Sequence, residues 1–190
     1  MARGRSRRID GGRGRLVFFD QKEAIMPLAA EERDRLIQRY ADGPAKLRAA
    51  LAAVPAEAMQ WRPAPGEFSV HEIVCHCADS ETNAAARIRY LVAEKEPVIL
   101  GYDPDSWAAA FDYHSHPIEA ALAAVDAVRA NTVPLLRRLP GDAWDKVATH
   151  SESGRYTGTG WLLIYAAHLE QHAERVNRTL AAWRASAAAS

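Results

Sequence analysis

His168 and His172 stand four residues apart in the stretch GTGWLLIYAAHLEQHAERVNRTL, residues 158–180. On a helix turning about 100° per residue, their side chains lie only some 40° apart. Trp161, Tyr165, Val176 and Trp183 share that sector, whereas Glu170, Glu174 and Arg178 fall outside it. The pair therefore sits on an inward, aromatic stripe. Burying two imidazoles costs free energy unless their ring nitrogens find partners. One divalent ion can take both, because imidazoles at i and i+4 converge. Two core histidines, each bonded to a carbonyl or carboxylate, would satisfy the same pattern, and the pair alone does not decide between them.

The glutamate within HLEQH invites comparison with H-E-x-x-H proteases. Glu170 lies about 200° around the helix from His168, so it points away from any ion the pair would hold. A third ligand has to come from another element. The stretch FSVHEIVCHCADSE, residues 68–81, offers His76 beside an apolar line of Ile73, Cys77, Ala84 and Ile88. Ser80, Asn83 and Arg87 continue from His76 at helical steps, as either a solvated face or the polar lining of a pocket. Cys75 and Cys77 are two apart, point to opposite sides of a helix and read as small core residues. His114 and His116, in DYHSHP, form a competing pair on an irregular segment. His71 and His150 read as solvated.

The elements that must position these residues are helical. Residues 29–54 carry apolar side chains at helical spacing, with a kink or break expected at Gly43-Pro44. Ser69 and Glu72 form a capping-box signature that starts a second helix over about 70–94. A long connection follows, with room for a short helical turn around Trp107–Phe111. A third helix begins at Ile118 and ends before Pro140, bent at Pro134. Residues 141–160 read as a polar loop or small hairpin. Thr159 then caps a fourth long helix over about 160–184, beyond which ASAAAS should fray. Four long helices with one long crossover predict a four-helix bundle.

With 190 residues, 48% of them hydrophobic, the chain can bury one sizeable core. A net charge of zero argues against a surface built wholly for nucleic acid or acidic membrane. Residues 1–25 depart from this, with seven Lys/Arg against three acids. This Arg- and Gly-rich stretch lacks the apolar region of a signal peptide and reads as a disordered extension before a domain spanning 26–190. No apolar run approaches the roughly 20 residues of a membrane span, and the cysteine pair cannot build a disulfide framework. A cytoplasmic setting is expected.

FSVHEIVCHCADSE followed by a late HLEQH resembles the DinB/YfiT-like family of metal-binding four-helix bundles. Its members carry a W-S-x-x-E-x-x-x-H-x-A-D-S-type second helix and an H-x-x-x-H fourth helix. QWRPAPGEFSV is similar to the family's lead-in, with Phe68 where tryptophan is common, and YDPDSWAAAFDY is similar to segments of some branches. The resemblance covers roughly residues 26–183. It implies metal ligands at His76, His168 and His172, an up-down-down-up helix order and a homodimer. Cys77 stands where leucine is common, a departure that leaves ligation undisturbed.

Three imidazoles on zinc, nickel or iron leave a coordination position open. Together with the resemblance, this points to a metal-dependent enzyme acting on a small molecule, either a thiol S-transferase using a low-molecular-weight thiol or a hydrolase-like activity. Asn83, Arg87, Trp161 and Tyr165 are candidates for the pocket wall, and no general base can be named. Two other readings stand beside it. One is a non-catalytic dimeric bundle with a structural metal, binding a small molecule or partner in stress. The other gives the basic arm a role on nucleic acid.

Overall fold

The computed structural model describes residues 28–189, so the basic stretch 1–25 lies outside the described residues. Helix α1 spans Ala30–Leu51 and starts with Glu31 and Glu32 in its first turn, where acidic side chains suit the helix dipole. The break expected at Gly43-Pro44 does not occur: α1 runs through the proline. Pro44 has no N–H, so the carbonyl of Tyr40 loses its helical donor. The guanidinium of Arg129, from a distant helix, donates to that carbonyl instead.

Helix α2, Val70–Ala93, begins with the expected capping box. Ser69 Oγ accepts from the Glu72 amide at 3.2 Å, and Glu72 Oε2 accepts from the Ser69 amide at 2.9 Å. The crossover carries a two-residue strand β1, Val98–Ile99, and a short helix α3, Pro104–Ala110. Helix α4 spans Ile118–Leu136 with Pro134 in its last turn. The hairpin materialises as β2, Val147–His150, and β3, Gly154–Thr157, with Gly154, at a φ of 77°, opening β3 directly after the turn. Strand β2 pairs antiparallel with β3 and parallel with β1. A strand as short as β1 shows no alternation, which is why the sequence does not announce it.

Helix α5, Gly158–Ala188, is longer than expected at both ends. Its cap is Thr157, which accepts from the Gly160 amide at 2.9 Å, rather than Thr159. Its C-terminal end stays helical through most of ASAAAS.

Helix directions follow from the contacts. Tyr40 packs on Trp161 and Gly43 faces Leu169, so α1 and α5 run parallel. Ala84 bonds Trp161 while Glu81 bonds His168, so α2 runs against α5. Arg48 meets Asp126 while Gln38 meets Arg137, so α4 runs against α1. The order is up-down-down-up, and the crossover exists because α2 and α4 are parallel. Among the described residues no helix is long and apolar enough to cross a membrane.

The core falls into two apolar clusters. One gathers Leu47, Ile73, Val74, Leu122, Val125 and Val176. The other gathers Ile37, Ile88, Leu136, Trp144, Trp161 and Leu162. Glu81, Arg129 and His168, all at most 2% exposed, form a polar layer between them.

Candidate metal centre

His76 projects from the second turn of α2, while His168 and His172 project from adjacent turns of α5. Antiparallel packing brings the three together. Each offers a ring nitrogen within 4.8 Å of the others. His76 and His168 are buried and His172 is half-buried. Ring centroids stand 5.7 Å apart for His76–His168, 4.8 Å for His76–His172 and 4.6 Å for His168–His172. The tilted rings turn edges rather than faces towards one another.

The orientation of His168 is set from behind. Its Nδ1 lies 2.9 Å from Glu81 Oε1. Glu81 also accepts from Arg129 Nε and Nη2, both at 2.5 Å, and Arg129 further donates to the carbonyls of Tyr40 and Tyr165. Burial alone would raise the Glu81 carboxyl, but Arg129 and His168 outweigh it and hold it below its ordinary range. An ionised carboxylate only accepts, so His168 Nδ1 is the donor, and Nε2 is the nitrogen left to face His76 and His172. Backing of this kind orients ligating histidines at metal sites.

The donor set fits a divalent cation. Both ring nitrogens of His76, Nε2 of His168 and Nδ1 of His172 are buried without a hydrogen-bond partner. Leaving such groups unpaired is costly, and three imidazoles with aimed lone pairs are a nitrogen ligand set for zinc or a similar ion. Burial pushes His76 down to about 3, helped by His168, and pushes His172 well below the ordinary histidine value. Both rings are therefore neutral at pH 7, the form that ligates.

Residues 39–176, most of the chain, match the sequence profile of the DinB superfamily. The chain belongs to the DinB superfamily. A protein of Oceanobacillus iheyensis, named as a candidate metal-dependent hydrolase, is 35% identical over 107 residues, covering 56% of this chain and 62% of that relative's length. A protein of Bacillus mycoides, named likewise, is 27% identical over 143 residues, covering 75% of this chain and 82% of its own. Among solved structures, YfiT of Bacillus subtilis shares the fold with a TM-score of 0.75 at 24% identity, over 80% of this chain and 87% of that one. It is described as a candidate metal-dependent hydrolase with an unusual four-helix-bundle topology.

The other residues singled out in this DinB-superfamily sequence take varied places. Arg87 and Tyr165 come together, Nη1 to phenol oxygen at 3.0 Å. Trp161 packs beside Tyr165 but is fully buried, with its indole N–H on the Ala84 carbonyl at 2.9 Å. Asn83 turns to the Asp79 carbonyl of its own helix. His114 and His116 do not converge with the centre. His114 Nε2 meets Ser69 Oγ at 2.8 Å, and His116 offers its carbonyl to His71 Nε2 at 2.8 Å, so both tie the crossover to the start of α2. His71 and His150, expected to be solvated, are buried, because the crossover covers one and the hairpin turn folds its amides onto Nδ1 of the other.

Cys75 and Cys77 are free and buried in the core, as expected. Glu170 faces α1, where it pairs with Arg39 and Lys46. Sequence reasoning missed Glu81 and Arg129. The available signal was slight: Glu81 lies five residues after His76 among other polar residues of α2, and Arg129 is the one basic residue of α4.

Proposed function

We propose that the chain is a metal-dependent enzyme that acts on a small molecule, by hydrolysis or by transfer of a low-molecular-weight thiol. The observation that carries this reading is the set of buried, unpartnered imidazole nitrogens of His76, His168 and His172, with His168 held by a buried carboxylate. The names of the relatives favour the hydrolytic form.

A divalent ion held by three imidazoles keeps a coordination position open and supplies Lewis acidity there. The chain's own residues do the remaining work. Glu81 fixes the tautomer of His168, and Arg129 fixes Glu81. Phe68 lies against the His76 ring at 6.0 Å between centroids and shields that side from water. Glu170 is committed to α1 and takes no part as a base.

The test is the metal content of purified protein, wild type against His76→Ala, His168→Ala and His172→Ala. Near-stoichiometric metal in the wild type and its loss in each variant are expected. Stoichiometric metal surviving all three substitutions would remove the site. Assays of the loaded enzyme on ester and amide panels, with and without added thiols, then separate hydrolysis from thiol transfer.

A further inference from the structure

Among the described residues two arginines are buried, and only one of them has a counter-ion. Arg129, 2% exposed, is gripped by Glu81. Arg87, 8% exposed, has no carboxylate within ion-pairing distance among the described residues. Its guanidinium reaches the Tyr165 phenol at 3.0 Å and the Leu100 carbonyl at 2.6 Å, and it stands 5.8 Å from the centroid of the Tyr102 ring. Neutral oxygens solvate a cation less well than water, so an unpaired buried charge is costly unless something neutralises it.

The surroundings are rich in donors. The Ser80 hydroxyl is buried beside the phenols of Tyr102 and Tyr165, and the Tyr156 hydroxyl is buried beside the phenol of Tyr165. Guanidinium, phenol and hydroxyl groups together suit an oxyanion, which only accepts. The cluster also adjoins the histidines. Ser80 follows His76 by one turn of α2, about 6 Å of rise. Tyr165 precedes His168 by one turn of α5, with the two rings 5.8 Å apart. The crossover covers Arg87 through Leu100, which is itself 71% exposed and lies at the solvent side of the cluster.

We propose that Arg87, with Tyr165, Ser80 and Tyr156, forms a subsite for a carboxylate or phosphate group, and that the substrate of the histidine centre is an anion held there by its charged end. This rests on the proposed enzymatic reading for the word substrate, but the anion subsite itself does not need the metal.

The experiment measures binding of inorganic phosphate and of acetate by calorimetry and by shift in thermal midpoint. It uses wild type, Arg87→Met, Tyr165→Phe and the ligand variant His172→Ala. Saturable binding to wild type and to His172→Ala is expected, with affinity at least about 10-fold weaker in Arg87→Met and an intermediate loss in Tyr165→Phe. Preference between the two anions identifies the group. Without anion, Arg87→Met should be as stable as wild type or more so, since an unpaired buried charge has gone. Absence of saturable binding in wild type, or unchanged affinity in both Arg87→Met and Tyr165→Phe, overturns the subsite. A marked loss of stability in anion-free Arg87→Met, with unchanged binding in Tyr165→Phe, reduces Arg87 to a pin for the crossover. Anion binding that persists while stoichiometric metal survives in His172→Ala and also in His76→Ala and His168→Ala would sink the metal reading and leave the subsite standing.

Discussion

The Nδ1 of His168 and the carboxylate of Glu81 are 2.9 Å apart, and neither side chain is accessible to water. The pair joins two long helices at the polar layer that divides the core. It also makes the histidine centre depend on Arg129, which touches none of the three imidazoles that would bind metal. The experimental consequences concern this layer and the buried groups beside it.

Glu81→Gln should weaken metal binding by about 10–100-fold, the range typical of lost outer-shell support. It should also cost about 3–5 kcal/mol of stability, because Arg129 is left buried without a counter-ion. Replacing both partners, as Glu81→Leu with Arg129→Met, should recover stability relative to the single variant while metal affinity stays low. Chelator-competition titrations and urea melts of the variants check the two effects separately. Equal losses of both quantities in every variant would mean that the pair serves the fold alone.

Metal-stripped protein should be sensitive to acid. In the folded state His76 titrates near 3, against about 6.5 when unfolded, and His172 is depressed in the same direction. The unfolded chain therefore binds more protons between those values. This contribution to stability is complete above about pH 6.5 and is lost as pH falls, at up to about 1.4 kcal/mol per pH unit for each histidine. Glu81, depressed below its ordinary carboxylate range, adds to the loss under more acidic conditions. Urea melts from pH 8 to pH 4 measure the slope, and a level profile between pH 7 and 5 would contradict neutral burial of the two rings.

The two thiols should be silent in the native protein. Burial and the nearby Asp79 and Glu72 push Cys75 up to about 12, and burial drives Cys77 well above its ordinary value. Cys75 Sγ also contacts the Tyr113 carbonyl at 3.6 Å. A chromogenic disulfide reagent at pH 8 should react only at the rate of unfolding and count two thiols in denaturant. Rapid native labelling of either would place that cysteine near the surface.

Much of this was legible in the residues themselves. The spacing of His168 and His172 and the box at Ser69 and Glu72 rest on periodicities that local physics enforces, whereas the parallel course of the crossover came from the family resemblance. Glu81 and Arg129 were less readable because their role exists only across helices: in the sequence each is one polar residue among several on its own helix until the bundle closes. Of the kink or break expected at Pro44, the break does not occur, for the same reason. Helix propensity counts a missing hydrogen bond, but it cannot see a guanidinium arriving from α4. His71 and His150 illustrate the converse, polar residues in apparently open segments that tertiary contacts then cover.

Pro44 is also the first residue a helix-strengthening redesign would remove, since an interior proline costs about 3 kcal/mol relative to alanine. In this bundle the gap it leaves is a docking point. It leaves the Tyr40 carbonyl without a helical donor, and Gly43, whose added Cβ would lie 3.2 Å from Arg129 Nη1, keeps the approach clear. A perfected α1 would compete with Arg129 for that oxygen. The slackened guanidinium would pass its error through Glu81 to His168. An imperfection in the first helix thus acts as part of the jig that aligns a histidine more than a hundred residues away.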